Sequence, residues 1–126
     1  MQSDRIFARY DFSQHAPSLS RLALDLLEQQ KGDWPQLRAG HLAVENVRTR
    51  ELLMEDCSAR LQFNPQRAVS SGAKVDAESI QARPCFLCLK NLPPQQKGIA
   101  YRGAFLVLCN PAPIFRQHFT ISHVQH

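Results

Sequence analysis

The chain has 126 residues, 44% of them hydrophobic and 21% charged, which is the size and balance of one ordinary globular domain. No apolar run is long enough to cross a bilayer, and the N-terminus, MQSDRIFARYDFSQH, lacks the basic and apolar regions of a signal peptide, so no membrane partner is expected and a cytoplasmic location is. The formal net charge of +4 is compatible with an anionic ligand and equally with a plain solvated surface; the basic residues are scattered and not gathered with aromatics, which argues against nucleic acid as a partner.

Residues 1–16 are mixed and show no clear period. Residues 17–32, PSLSRLALDLLEQQKG, predict a helix: Leu19, Leu22, Ala23 and Leu26 follow the i, i+3, i+4, i+7 spacing of one buried face, and Leu24 and Leu27 widen it. Ser18 is placed to cap its start and Gly32 to stop it. DWPQLRAGHLAVENV is ambiguous, with Trp34 read as a packing residue. VRTRELL and SARLQF then predict two strands around MEDC. In the second, Ala59, Leu61 and Phe63 alternate with polar residues, as in a half-buried strand. Residues 64–74, NPQRAVSSGAK, have the composition of a loop, and DAESIQ that of a short helix. AFLVLC (104–109) is apolar throughout, as in a strand covered on both faces. The prolines of NPAPIF end it, and HFTIS (118–122) is a last strand with Phe119 and Ile121 on one side. The fold class expected is α+β, a mainly antiparallel sheet with flanking helices.

Four cysteines in such a chain do not suggest a disulfide framework. Cys85 and Cys88 form a CxxC, which can be half of a metal site, a redox pair or two neighbouring thiols. Zinc takes four tetrahedral thiolate or imidazole ligands, and no second CxxC exists to complete them. Cys57 and Cys109 lie in or beside apolar strand patterns and read as small buried thiols. His118, His123 and His126 fall within nine residues, a cluster that suits metal and also suits an exposed tail. A redox pair of the thioredoxin kind opens a helix after a strand, whereas Pro93 and Pro94 follow closely here.

Taken as an ordered set, QFNPQRAVSSGAKVD, RPCFLC and LVLCNPAPIFRQHFTISHVQH resemble the front part of the histidine-triad superfamily. The likeness is to its galactose-1-phosphate uridylyltransferase branch, and more closely to bacterial relatives grouped with ATP adenylyltransferases and GDP-hexose phosphorylases. The resemblance covers residues 47–126 and leaves 1–46 as an N-terminal helical segment. It implies a structural zinc with Cys85, Cys88 and His126 as ligands. It also implies a nucleotide or nucleotide-sugar partner, with Arg67 of the NPQR loop on the nucleotide and Asn110 beside the nucleoside. The superfamily's nucleophile is a histidine in a His-x-His-x-His or His-x-His-x-Gln strand downstream of the metal histidine. No His-x-His occurs in this sequence. The resemblance therefore implies the N-terminal portion of a nucleotidyltransferase or phosphorylase that works through a nucleotidyl-histidine in the complete protein. On that expectation this chain alone carries no catalytic residue, is inactive, and leaves a sheet edge open to pairing in a homo-oligomer. The alternative is a small zinc-stabilised binding module without catalysis. Phe105, Phe115 and Phe119 are candidates for a base slot, and Ser70, Ser71 and Gly72 for amides facing phosphate; all of these suit plain structural roles as well.

Overall fold

The computed structural model describes residues 3–12 and 17–125. Its centre is a four-stranded sheet built from Ile6–Tyr10 (β1), Gly98–Tyr101 (β4), Phe105–Cys109 (β5) and Phe119–His123 (β6), in the order β1-β4-β5-β6. The β4–β5 and β5–β6 pairs are antiparallel and β1 lies parallel to β4. Leu19–Asp33 (α1) and Pro35–Glu45 (α2) contribute the helices. The architecture is α+β with a mainly antiparallel sheet and flanking helices.

The alternation of β5 explains the two-sided core. Val107 and Cys109 point to the helix side, where they join Leu26, Leu27, Trp34, Leu37 and Ile99. Leu106 and Leu108 point to the other side and meet Leu92, with Leu87, Leu89, Ile6 and Val124 around them. A strand buried on both faces has no reason to alternate polar and apolar residues. Gln30 is fully buried among apolar residues, and it is satisfied. Its amide donates to the Gln95 carbonyl at 3.0 Å and accepts from Lys97 N–H at 2.9 Å, pinning α1 to the chain that enters β4.

Ser18 caps α1 as its position suggests, accepting from Arg21 N–H at 3.2 Å. Gly32 does not stop the helix, which runs on to Asp33. The break comes from Pro35: the residue before a proline is driven out of helical geometry. Trp34 is accordingly extended and serves as the end of α1 and the start of α2. The ambiguous stretch after it is α2, with Leu37, His41 and Val44 on its buried face.

Residues 1–46 are not wholly helical, since β1 lies within them. Two strands carried no sequence signal. β1 and β4 are only five and four residues long, too short to show a period, and each is specified by its partner. The turn joining β4 to β5 places Arg102 and Gly103 at φ of 51° and 68°, a left-handed geometry that glycine adopts without strain.

Arg48–Leu53 (β2) and Ser58–Phe63 (β3) form the expected hairpin as a separate two-stranded sheet. Of the apolar residues of β3, Ala59 is half-buried, but Leu61 and Phe63 are 54% and 63% exposed. Gln62, on the opposite face, is half-buried and donates to the Ile114 carbonyl at 2.9 Å, which ties the end of β3 to the body of the protein, while Ser58 and Arg60 on that face are exposed. Residues 64–74 are not all loop. Pro65–Arg67 form a 3-10 turn that runs into a one-turn helix, Ala68–Ser71 (α3). Ala77–Ala82 (α4) is the short helix expected near DAESIQ, capped by Asp76, which accepts from Ser79 N–H. β6 includes His123, and Ile121 is 68% exposed, whereas Phe119 packs on the helix-side core. Both β1 and β6 are sheet edges. Among the described residues no helix is long and apolar enough to cross a membrane.

Candidate functional site

A cavity of about 550 Å³ opens where β5 ends, a size suited to a small-molecule ligand. α2 forms one wall with Ala39, Gly40 and Ala43. The Asn64–Ser70 segment, the Phe86–Leu87 pair and the Asn110–Pro113 turn close the others. Gly40 is required by the packing. A Cβ there would collide with the Pro111 carbonyl oxygen and stand 2.9 Å from Pro113 Cδ. The helix and the proline turn meet too closely at this point for any side chain.

Asn110 organises that turn. Its Oδ1 accepts from Ala112 N–H at 2.9 Å, closing an Asx turn of the kind asparagine forms before proline. Its own N–H donates to the His118 carbonyl at 3.0 Å. Its Nδ2 reaches Thr120 Oγ1 at 3.4 Å, a weak contact. Arg67 arrives from the opposite wall, and its Nε donates to the Ala112 carbonyl at 2.9 Å. Arg67 and Asn110 thus line the same cavity and grip the same three-residue turn. With Nε engaged, the terminal guanidinium nitrogens carry the donors suited to an anion.

His118 stands behind this pair. Its Nδ1 accepts from Ile114 N–H at 3.1 Å, which places the proton of the neutral ring on Nε2. Burial, and then the nearby Arg67 guanidinium, hold its pKa below the ordinary histidine value. The local field is already positive, so the ring stays neutral more readily than a solvated one.

The CxxC turn is built by backbone bonds. Cys88 N–H donates to the Cys85 carbonyl at 3.3 Å, and Asn91 ties both ends, with Nδ2 on Cys85 O and N–H on Cys88 O, each at 2.8 Å. The two thiols interact: the Cys88 pKa is raised by desolvation, then by a side-chain hydrogen bond with Cys85 and that thiol's charge. Two adjoining sulfurs are the donor chemistry that zinc takes, so Cys85 and Cys88 would supply half of such a site. His126 lies outside the described residues. Among the described residues no group of three or more His, Cys, Asp or Glu side chains converges as a complete site. The residues between the two cysteines, Phe86 and Leu87, line the cavity. A metal clamped by this turn would fix one cavity wall.

Cys109 is buried, and desolvation pushes its thiol up to about 12, in keeping with a packing role. Cys57 is exposed at the hairpin turn, contrary to the expectation of a buried thiol; the apolar residues around it belong to a hairpin that does not enter the core. Phe105, Phe115 and Phe119 do not line the cavity, whereas Phe86 and Trp34 do. Of the residues whose amides were candidates to face phosphate, only Ser70 lines it. Sequence reasoning missed Asn64 and the α2 wall. A glycine within a helical pattern, at position 40, was the available signal for a close approach.

Residues 26–126 match the family described as a domain of unknown function (DUF4922). The match runs through α2, the cavity walls and the CxxC turn, and crosses the division expected after residue 46. No curated protein matches the chain, and no solved structure does.

Proposed function

We propose, for a chain that belongs to the family described as a domain of unknown function (DUF4922), that it is the nucleotide-binding portion of a histidine-triad-like nucleotidyltransferase or phosphorylase. The observation that carries this reading is the meeting of Arg67 and Asn110 across one cavity. A guanidinium set beside a rigid turn suits a phosphate group, because its donors form a planar fork matched to phosphate oxygens. The apolar Phe86 and the small side chains of α2 suit a ring.

In the complete protein the chemistry is displacement at phosphorus. An imidazole nitrogen attacks the α-phosphorus, the bond to the leaving phosphate or sugar phosphate breaks, and a second acceptor releases the nucleotidyl group from histidine. The part of this chain is to hold the phosphates and position the nucleoside. His118 and His123 match no nucleophile position, and a displaced nucleophile loses orders of magnitude in rate. Cys85 and Cys88 would hold a structural zinc that stiffens the Phe86–Leu87 wall. β6, at a sheet edge, is where a following strand or a second copy would pair.

Calorimetric titration with UDP-glucose, GDP-mannose and diadenosine tetraphosphate tests the reading. At least one is expected to bind, and Arg67→Ala to weaken it by roughly 10- to 100-fold, the worth of a charge-assisted hydrogen bond. Binding of none of them, or binding indifferent to Arg67, overturns the proposal. Incubation with radiolabelled nucleotide is expected to leave no acid-labile adduct on this chain.

A further inference from the structure

Among the described residues that line the cavity, Asn64 is the one whose buried side-chain polar atoms have no partner. It follows β3 and precedes the Pro65–Arg67 turn. An asparagine in this place ordinarily caps the turn with its side chain, but here the side chain makes no capping bond, and the backbone carbonyl alone accepts from Arg67 N–H at 3.2 Å. Its Nδ2 and Oδ1 are both shut off from solvent, and neither has a hydrogen-bond partner. A buried amide with an unmet donor and an unmet acceptor is a standing cost to the fold. Such a group calls for a partner from outside the chain: a water, an ion or a ligand.

The surroundings indicate what would meet them. Asn64 lines the cavity together with Ala39 and Ala43 of α2, whose small side chains suit a flat ring. Arg67 lies three residues on, at the other end of the same turn. A carboxamide presents donor and acceptor in one plane. A phosphate offers acceptors and no fixed donor, and sugar hydroxyls are not held in a plane. The edge of a nucleobase has a donor next to an acceptor, and asparagine pairs with such an edge through two bonds at once.

We infer that Asn64 is a base-reading residue: when ligand enters, its amide turns into the cavity and pairs through Nδ2 and Oδ1 with the hydrogen-bonding edge of a nucleobase, while Arg67 takes the phosphate. This deepens the nucleotide-binding reading and rests on it. The unmet amide of the free protein is then a stored cost released on binding, and stability is given up for recognition.

The test separates base from phosphate. Adenosine, guanosine and uridine 5′-monophosphates and ribose 5-phosphate are titrated into the wild-type chain and into Asn64→Leu, Asn64→Ala and Arg67→Ala. Asn64→Leu is expected to weaken the tightest-binding nucleotide by roughly 10- to 100-fold, to leave ribose 5-phosphate unchanged, and to raise the melting temperature, because two unmet polar atoms become methyl groups. Asn64→Ala, which adds no bulk, is expected to repeat the binding pattern. Arg67→Ala is expected to weaken nucleotides and ribose 5-phosphate alike. If nucleotides bind and depend on Arg67 but not on Asn64, this inference fails and the nucleotide-binding reading stands. Equal loss of ribose 5-phosphate in the Asn64 variants also overturns it. A wild-type chain that binds none of the nucleotides overturns both.

Discussion

Alanine at position 40 tests the contact that shapes the cavity. The added Cβ would collide with the Pro111 carbonyl oxygen and sit 2.9 Å from Pro113 Cδ. Neither is the end of a flexible side chain, so α2 and the proline turn must part. Overpacking costs about 1–3 kcal/mol, and a clash with backbone belongs at the top of that range. Replacing glycine by alanine within a helix returns about 1 kcal/mol. A net loss of about 2 kcal/mol follows from those two ranges. In a chain of this length each kcal/mol moves the melting midpoint by roughly 3–6 °C. Gly40→Ala is therefore expected to melt roughly 6–12 °C lower, followed by far-UV circular dichroism. Gly32→Ala is the control. Gly32 is also helical, yet nothing lies within 4 Å of the point where its Cβ would stand, so only the propensity gain remains and the midpoint should rise by a few degrees. Because the displaced turn carries Asn110 and the Ala112 carbonyl that holds Arg67, nucleotide affinity is expected to fall in Gly40→Ala alone. Equal stability of the two variants would refute the packing argument.

Thiol labelling of the native chain is expected to modify exposed Cys57 well before buried Cys109, whose thiol sits at about 12; fast native labelling of Cys109 counts against its burial. His41 is held below the ordinary histidine value by burial, then by Lys31, with Glu45 and Glu28 opposing, and His118 by burial and Arg67. Their folded pKa values lie below the unfolded one, so the unfolded chain binds more protons as the solution acidifies. Stability is accordingly expected to be full above about pH 6.5 and to be lost as pH falls through the folded values; a urea midpoint flat across that window contradicts it, and NMR titration should show His118 moving upward in Arg67→Ala. Zinc is expected to bind the wild-type chain with release of protons, because the Cys88 thiol is held protonated without metal, and to be lost in Cys85→Ser and Cys88→Ser; metal analysis finding no zinc on wild-type protein purified without chelator rejects the site.

Periodicity and local chemistry were legible along the chain wherever the residues themselves decide the conformation. The leucine spacing of α1, its Ser18 cap, the two strands of the β2–β3 hairpin, the short helix α4 and the doubly buried β5 could all be read directly, since each is a local pattern of residue type and spacing. Arg67 and Asn110 could be placed at one site through the family resemblance alone, since nothing in their local sequence links them. They stand far apart in sequence, and only the packing of the Pro65–Arg67 turn on the Asn110–Ala112 turn joins them. Tertiary structure also decided the short strands. β1 and β4 hold their conformations through each other and through β5, because a strand of four or five residues has too few side chains to specify a face. It decided that Leu61 and Phe63 of β3 are left exposed, since a period of two shows which residues share a face and says nothing of which face is covered. The unmet amide of Asn64 belongs to the same class. An asparagine before proline reads as a turn in any sequence, and whether its side chain finds a partner depends on walls that come from α2 and the Asn110–Pro113 turn, brought together only when the chain folds.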